Sequence, residues 1–127
     1  MDSHSCGSQD VFAWNALGKA SEGTFVDIGC HFPIQGNNTY MLEKNGFRGI
    51  SFDIRDMSGE FKAARHTPFI HADAKTYDIR GAMRDYFGDL KVIDYLTFDV
   101  DDDGIQCLLN MPLDEYEFKA VSYTHLR

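Results

Sequence analysis

Hydrophobic residues along the chain alternate between short β-branched runs and longer segments with helical spacing. The short runs predict strands at 24–28, 49–54, 69–74, 92–100 and 118–122. Apolar residues three or four positions apart predict helices at 10–19, 60–65, 79–87 and 105–109, with a short one between Tyr40 and the stop at Asn45-Gly46. Because strands that alternate with helices pair in parallel through right-handed crossovers, the pattern predicts an α/β fold with a doubly wound parallel sheet.

Length, charge and cysteine spacing narrow the classes of protein that fit this pattern. The 127 residues, 43% of them hydrophobic, are expected to form one domain at 9–121 after a loose polar segment at 1–8. The formal net charge of −8 disfavours nucleic-acid binding, which depends on clustered lysine and arginine. Three cysteines without a CxxC spacing, and the lack of a leader or an apolar membrane-spanning run, favour a cytoplasmic protein with no membrane partner.

Acidic residues follow three successive predicted strands, at the edge where open α/β sheets bind ligands. Asp27 and Gly29 come at the end of the first strand, and the glycine allows a ligand to approach the backbone closely. Asp53 ends the second strand, where a carboxylate can accept hydrogen bonds from both hydroxyls of a ribose. Asp73 follows the third strand, where it can accept from an adenine amino group. The pattern therefore predicts a Rossmann-like nucleoside-binding site.

The neighbouring residues indicate which nucleoside ligand this site would take. The amide of Ala74 can donate to an adenine ring nitrogen, and Ile54 can cover the adenine face. Gly29 is followed by CHFPIQG rather than by a GxGxxG turn, and Pro33 removes a backbone donor where a pyrophosphate would need one. A ligand with adenine and ribose but no pyrophosphate fits better, which favours S-adenosylmethionine over NAD.

Four segments together resemble the FkbM-type methyltransferases. They are residues 25–30 (FVDIGC), 38–43 (NTYMLE), 46–53 (GFRGISFD) and 93–100 (IDYLTFDV), with His31 and Pro33 in addition. They are similar to the family's glycine-motif strand and to its "GAhxP…SNTyxLe", "GWxGixiD/E" and "IDyLslDvEG" patterns. After the last segment, residues 101–104 (DDDG) differ from the family's glutamate-glycine pair.

The resemblance carries expectations about cofactor, reaction and fold. It implies that S-adenosylmethionine is bound by Asp27, Gly29, Asp53 and Asp73. Its matched segments add Cys30, His31, Asn38, Thr39 and Asp99 as cofactor contacts. The implied activity is methyl transfer to an oxygen of a sugar or other small hydroxylated acceptor. The implied fold is the class I methyltransferase sheet, here truncated after about the fifth strand, and residues 122–127 resemble translated adaptor read-through and are expected to be a non-native tail.

Transfer to a hydroxyl needs a base, and the candidates are Asp99, Asp101 and His31. His31 is more typical of a structural loop residue than of a base. Carboxylates at 99–103 could bind magnesium or calcium, but such a run is more typical of a helix N-terminus, so we predict no metal. Cys30 is expected to fill a small core space rather than act as a nucleophile.

Each acidic strand end also has a purely structural interpretation. Asp27 can cap its own loop. Asp53 can pair with Arg55. Asp73 can cap a turn before Lys75. Two other classes of function therefore stay open, a non-catalytic nucleoside-binding Rossmann domain and an enzyme that uses NAD or a nucleotide sugar.

Overall fold

Helices and strands alternate along the chain in the computed structural model, which describes residues 3–4, 9–100 and 104–125. The helices are α1 Gln9–Ala16, α2 Tyr40–Lys44, α3 Ser58–Ala64, α4 Ile79–Phe87 and α5 Gly104–Leu109. The strands are β1 Gly23–Ile28, β2 Phe47–Asp53, β3 Phe69–His71, β4 Val92–Val100 and β5 Glu117–His125. Within these ranges no helix is both long and apolar enough to cross a membrane.

The five strands form one sheet in the order β3-β2-β1-β4-β5, and every neighbouring pair is parallel. The predicted α/β class and parallel sheet are confirmed, and the order is Rossmann-like. The chain moves outward from β1 to β3 and then returns to place β4 on the other side of β1. The carboxyl ends of β1 and β4 therefore flank the crevice where ligands bind in such sheets.

Side chains that alternate along the strands form a core on each face of the sheet. On one face, Val26 and Phe52 pack with Ile79 and Met83 of α4. On the other face, Phe25, Phe47 and Tyr95 pack with Ala13 of α1 and with Met41 and Leu42 of α2. The helices thus cover both faces, as the doubly wound prediction requires.

Two strands differ in length from their predicted ranges by three residues or more. β3 stops at His71 because the chain turns soon afterwards, where the Asp73 carbonyl accepts hydrogen bonds from the amides of Thr76 at 3.1 Å and Tyr77 at 3.0 Å. β5 continues to His125, since it pairs with β4 along its whole length. The expectation of a non-native tail at 122–127 concerns the origin of that segment and stays a prediction, and residues 126–127 lie outside the described ranges.

Candidate functional site

A cavity of about 280 Å³ opens at the carboxyl edge of the sheet, beside the ends of β1 and β4. The predicted site residues in its walls are Gly29, His31, Asp53, Ile54, Asp73, Ala74 and Asp99. They come from four different strand ends, which explains why they are far apart in sequence and close in space. The cavity lies where the strand order predicts a ligand crevice.

Gly29 and His31 shape the turn that leads out of β1. Gly29 has a φ of +74°, and its amide donates to the carbonyl of Phe52 at 2.8 Å, which ties the turn to β2. His31 has a φ of +57°, a conformation that residues with a side chain rarely adopt. Such a conformation persists only where surrounding contacts hold it, and the contacts that hold His31 come from Asp53, Asp99 and Arg55.

The Asp53 carboxylate is fixed at the end of β2 by backbone donors. Its Oδ2 accepts from the His31 amide at 2.8 Å, and its Oδ1 accepts from the Arg55 amide at 2.8 Å. The Nε of Arg55 lies 3.3 Å from Oδ1, so the ion pair foreseen for Asp53 is present. Burial raises the pKa of Asp53, while the bond from the Arg55 amide opposes this change. The carboxylate is therefore rigid as well as buried.

The His31 ring lies between Arg55 and Asp99. Its Nδ1 contacts Nη2 of Arg55, and its Nε2 lies 3.1 Å from the Asp99 carbonyl oxygen. Both ring nitrogens are engaged in this arrangement.

Asp99 faces the same cavity from the end of β4, and only 8% of its surface is exposed. Its Oδ2 lies 3.6 Å from Nε2 of His31. Its Oδ1 is buried and has no hydrogen-bond partner among the residues that the structure describes. Burial raises the pKa of Asp99, and the charge of Arg55 lowers it.

Asp73, Ala74 and Ile54 form the outer wall. The Asp73 Oδ1 accepts from the Lys75 amide at 3.0 Å, and Oδ2 lies 3.8 Å from the Lys75 ammonium. Asp73 thus makes the turn contact expected of it as a structural residue, and it also lines the cavity. Ile54 is 62% exposed, so its side chain offers an uncovered apolar surface at the rim.

The other predicted cofactor contacts, Asp27, Cys30, Asn38 and Thr39, do not line the cavity. Asp27 is buried behind its wall, where Oδ2 accepts from Oγ1 of Thr39 at 2.8 Å. Asn38 donates to Oγ1 of Thr97 at 2.9 Å, on the same face of the sheet as Asp27, and Cys30 packs with Phe61 of α3. These residues support the cavity from behind and do not reach into it.

Burial raises the pKa of Asp27 to about 7, although the Thr39 hydroxyl and the charge of Arg65 act in the opposite direction. The charges of Asp99 and Asp53 raise the same pKa further. The acidic groups in the cavity and the one behind it are thus electrostatically coupled.

Arg65 organises this supporting layer from a buried position, although a basic pair such as Lys62 with Arg65 is expected on a solvated face. Its side chain is fully buried and donates to Glu43 at 2.6 Å and to the Pro33 carbonyl at 2.9 Å. It also reaches Asn37 at 3.2 Å and Thr39 at 3.2 Å. Arg65 therefore joins the loop after β1 to the start of α2.

Five residues of the cavity wall were not predicted as site residues: Ile28, Phe52, Arg55, Ala72 and Cys107. Arg55 was foreseen only as the ion-pair partner of Asp53, yet it also contacts His31. Its position two residues after Asp53 is the signal that could have suggested this. A single buried cysteine in α5 gives no such signal.

The remaining predictions about the site concern residues 101–103. Asp101, the third candidate base, lies outside the described residues, as do the partners proposed for Asp99 in a magnesium or calcium site. Among the described residues, no group of three or more histidine, cysteine or acidic side chains has the geometry to hold a metal ion.

Comparison with known proteins adds no identification. No protein-family model matches the sequence, and no curated protein matches it. The function of the site therefore has to be argued from its geometry and from the motifs in the sequence.

Proposed function

We propose that this chain is an S-adenosylmethionine-dependent methyltransferase of the FkbM type. The observation that carries the proposal is the buried Asp53 carboxylate, held by two backbone amides beside the Gly29 turn and facing a cavity at the carboxyl edge of a Rossmann-like sheet. A volume of about 280 Å³ suits a ligand of nucleoside size.

The hydrogen-bonding capacity of Asp53 supports ribose binding. A carboxylate offers about four acceptor positions, and three donors already use Asp53. One ribose hydroxyl can therefore bond to Oδ2 directly. A second can bond to Oδ1 once the Nε of Arg55 moves away, and that contact is the longest of the three at 3.3 Å.

The rest of an adenosyl group matches the outer wall. The carboxylate of Asp73 suits an adenine amino group, and the exposed Ile54 suits the adenine face. Pro33 lies in the loop after Gly29 and has no amide to offer a pyrophosphate. This favours an adenosyl ligand over NAD or a nucleotide sugar.

In this proposal S-adenosylmethionine supplies a methyl group that is activated for transfer to an acceptor oxygen. The residues of the chain orient the two partners and take up the proton of the acceptor hydroxyl. Asp99 is the better candidate base, since its Oδ1 has no partner in the described part of the chain whereas both His31 nitrogens are engaged. The net charge of −8 favours a small hydroxylated acceptor, such as a sugar, over a nucleic acid.

Calorimetric titration tests the cofactor directly. We expect the wild-type protein to bind S-adenosylhomocysteine and to prefer it to NAD and ATP. Asp53→Ala should abolish that binding, because it removes the acceptor of the ribose hydroxyls. Asp85→Ala is the matched control, since Asp85 is exposed on α4 and outside the cavity.

Other outcomes would redirect the assignment. Preferential binding of NAD or ATP would support the nucleotide-dependent alternative, and no binding by a folded chain would overturn the proposal. A protein that binds S-adenosylmethionine but never releases S-adenosylhomocysteine with a panel of sugar acceptors would fit the non-catalytic nucleoside-binding domain.

A further inference from the structure

The side chain of Asn37 is completely buried beside the loop that leads out of β1. Its Nδ2 donates to the carbonyl of Cys30 at 3.1 Å and to the carbonyl of Phe32 at 2.9 Å. Its Oδ1 accepts from the backbone amides of Thr39 and Tyr40, each at 2.8 Å. Because a backbone amide only donates and a carbonyl only accepts, these four partners fix the orientation of the side-chain amide.

The carbonyl of Cys30 and the amide of His31 belong to one planar peptide group. Asn37 bonds to the carbonyl end of that group, and Oδ2 of Asp53 accepts from its N–H end at 2.8 Å. The peptide group is thus held at both ends, on one side by a buried amide and on the other by the carboxylate proposed to bind ribose.

This orientation of the peptide group leaves His31 with a φ of +57°, which is unfavourable for a residue with a side chain. The second Nδ2 bond of Asn37, to Phe32, fixes the chain on the other side of His31. Without these two bonds, His31 is expected to return to negative φ by rotation of the peptide group before it. That rotation would turn the His31 N–H away from Asp53.

We infer that Asn37 is a positioning residue of the adenosyl site, which holds the peptide group before His31 so that the His31 amide stays directed at Asp53. This inference rests on the proposed function, in which Asp53 accepts from the ribose hydroxyls. Asn37 does not line the cavity, so it acts on a ligand only through His31 and Asp53.

Glycine at position 31 distinguishes this role from a general loss of stability. Asn37→Asp keeps the size and the acceptor oxygen of the side chain but removes both donors. In that background we expect His31→Ala to bind adenosine roughly 5- to 30-fold more weakly than His31→Gly, the equivalent of ~1–2 kcal/mol for a left-handed residue other than glycine. With Asn37 in place, the two variants should bind adenosine within about twofold of each other, since the buried amide then holds either backbone.

Hydrogen exchange at the amide of residue 31 gives a readout that needs no ligand. Asn37→Asp should speed this exchange at least about tenfold, because the amide is no longer held against its acceptor. Asn45→Asp is the matched control, since Asn45 also donates to a backbone carbonyl, that of Met41 at 2.8 Å, and lies outside the cavity wall. It should change neither the exchange at residue 31 nor the affinity for adenosine.

The two readouts separate the inference from the function on which it rests. If folded wild-type protein binds no adenosine but the exchange at residue 31 depends on Asn37 as expected, the adenosyl function is wrong and the positioning of the His31 amide stands. If His31→Gly binds adenosine far more tightly than His31→Ala with Asn37 in place, or if Asn37→Asp leaves the exchange unchanged, the inference is wrong. The comparison at position 31 keeps Asn37, so it decides the question even if Asn37→Asp does not fold.

Discussion

Replacing Asp27 by asparagine is predicted to stabilise the protein above neutral pH. Asp27 is 1% exposed, and burial raises its pKa from 3.8 to about 7 in the folded protein. Between these values the folded state keeps a proton that the unfolded state has released, so the free energy of unfolding falls as the pH rises through the interval. At about 1.36 kcal/mol per pH unit, the wild type loses about 4 kcal/mol by the time the pH exceeds 7.

Asparagine fits the surroundings of Asp27 without a charge. Its carbonyl oxygen can accept from Oγ1 of Thr39, as Oδ2 of the aspartate does at 2.8 Å. Its amide can donate toward Ser51, the neighbour of Asp27 on β2, whose hydroxyl has no partner among the described residues. The variant therefore removes the cost of burying a charge and keeps the existing hydrogen bond.

Chemical denaturation at several pH values measures the effect. The stability gap between Asp27→Asn and wild type should widen by about 3 kcal/mol from about pH 5 to about pH 8, because the wild type ionises across that range. Asp85→Asn, at an exposed position of α4, should show a gap that stays within about 0.5 kcal/mol of its starting value. A gap for Asp27→Asn that did not change with pH would refute the reasoning.

Two further substitutions test the packing behind the site, both by urea denaturation. Gly49→Ala should lower the free energy of unfolding by at least about 3 kcal/mol, because a methyl group there overlaps the carbonyl and ring of Phe25. The control is Gly59→Ala in α3, where the added methyl group meets open space, and it should be neutral or stabilising. Equal effects of the two substitutions would contradict this reasoning. Arg65→Met should lower the free energy of unfolding by about 3 to 5 kcal/mol, because it leaves Glu43 without its buried partner. Adding Glu43→Gln should recover part of that loss. If Arg65→Met were as stable as wild type, the ion pair would contribute nothing to stability.

The sequence predicted best where hydrophobic pattern alone decides structure. The predicted ranges of α4 and β4 match the observed ones, Ile79–Phe87 and Val92–Val100. In α4 the buried residues Ile79, Met83 and Phe87 recur every four positions, which is close to the helical repeat of about 3.6 residues. β3 was predicted too long, because its apolar residues continue into a segment whose backbone turns to bond with itself. The hydrophobic pattern alone does not distinguish a strand that continues from a turn of this kind.

Side-chain direction explains why the predicted site residues divide between the cavity and the layer behind it. Asp27 is one residue before the end of β1 and shares a face with Phe25, so it points toward the α2 side of the sheet. The period of two in a strand could have suggested this from sequence. The role of Arg65 could not have been found in that way, since its partner Glu43 lies 22 residues away and its burial depends on the assembled fold.

The three coupled carboxylates differ in how well the protein compensates their charge. Asp53 has two backbone amides and Arg55. Asp27 has the Thr39 hydroxyl with Arg65 behind it, and its Oδ1 has no partner among the described residues. Asp99 has a histidine at 3.6 Å and one oxygen without a partner in the described ranges. Asp27 and Asp99 are therefore both buried with one carboxylate oxygen that the described part of the chain leaves unbonded. Of these two carboxylates Asp99 is the one that lines the cavity, so it is the one that a ligand can reach.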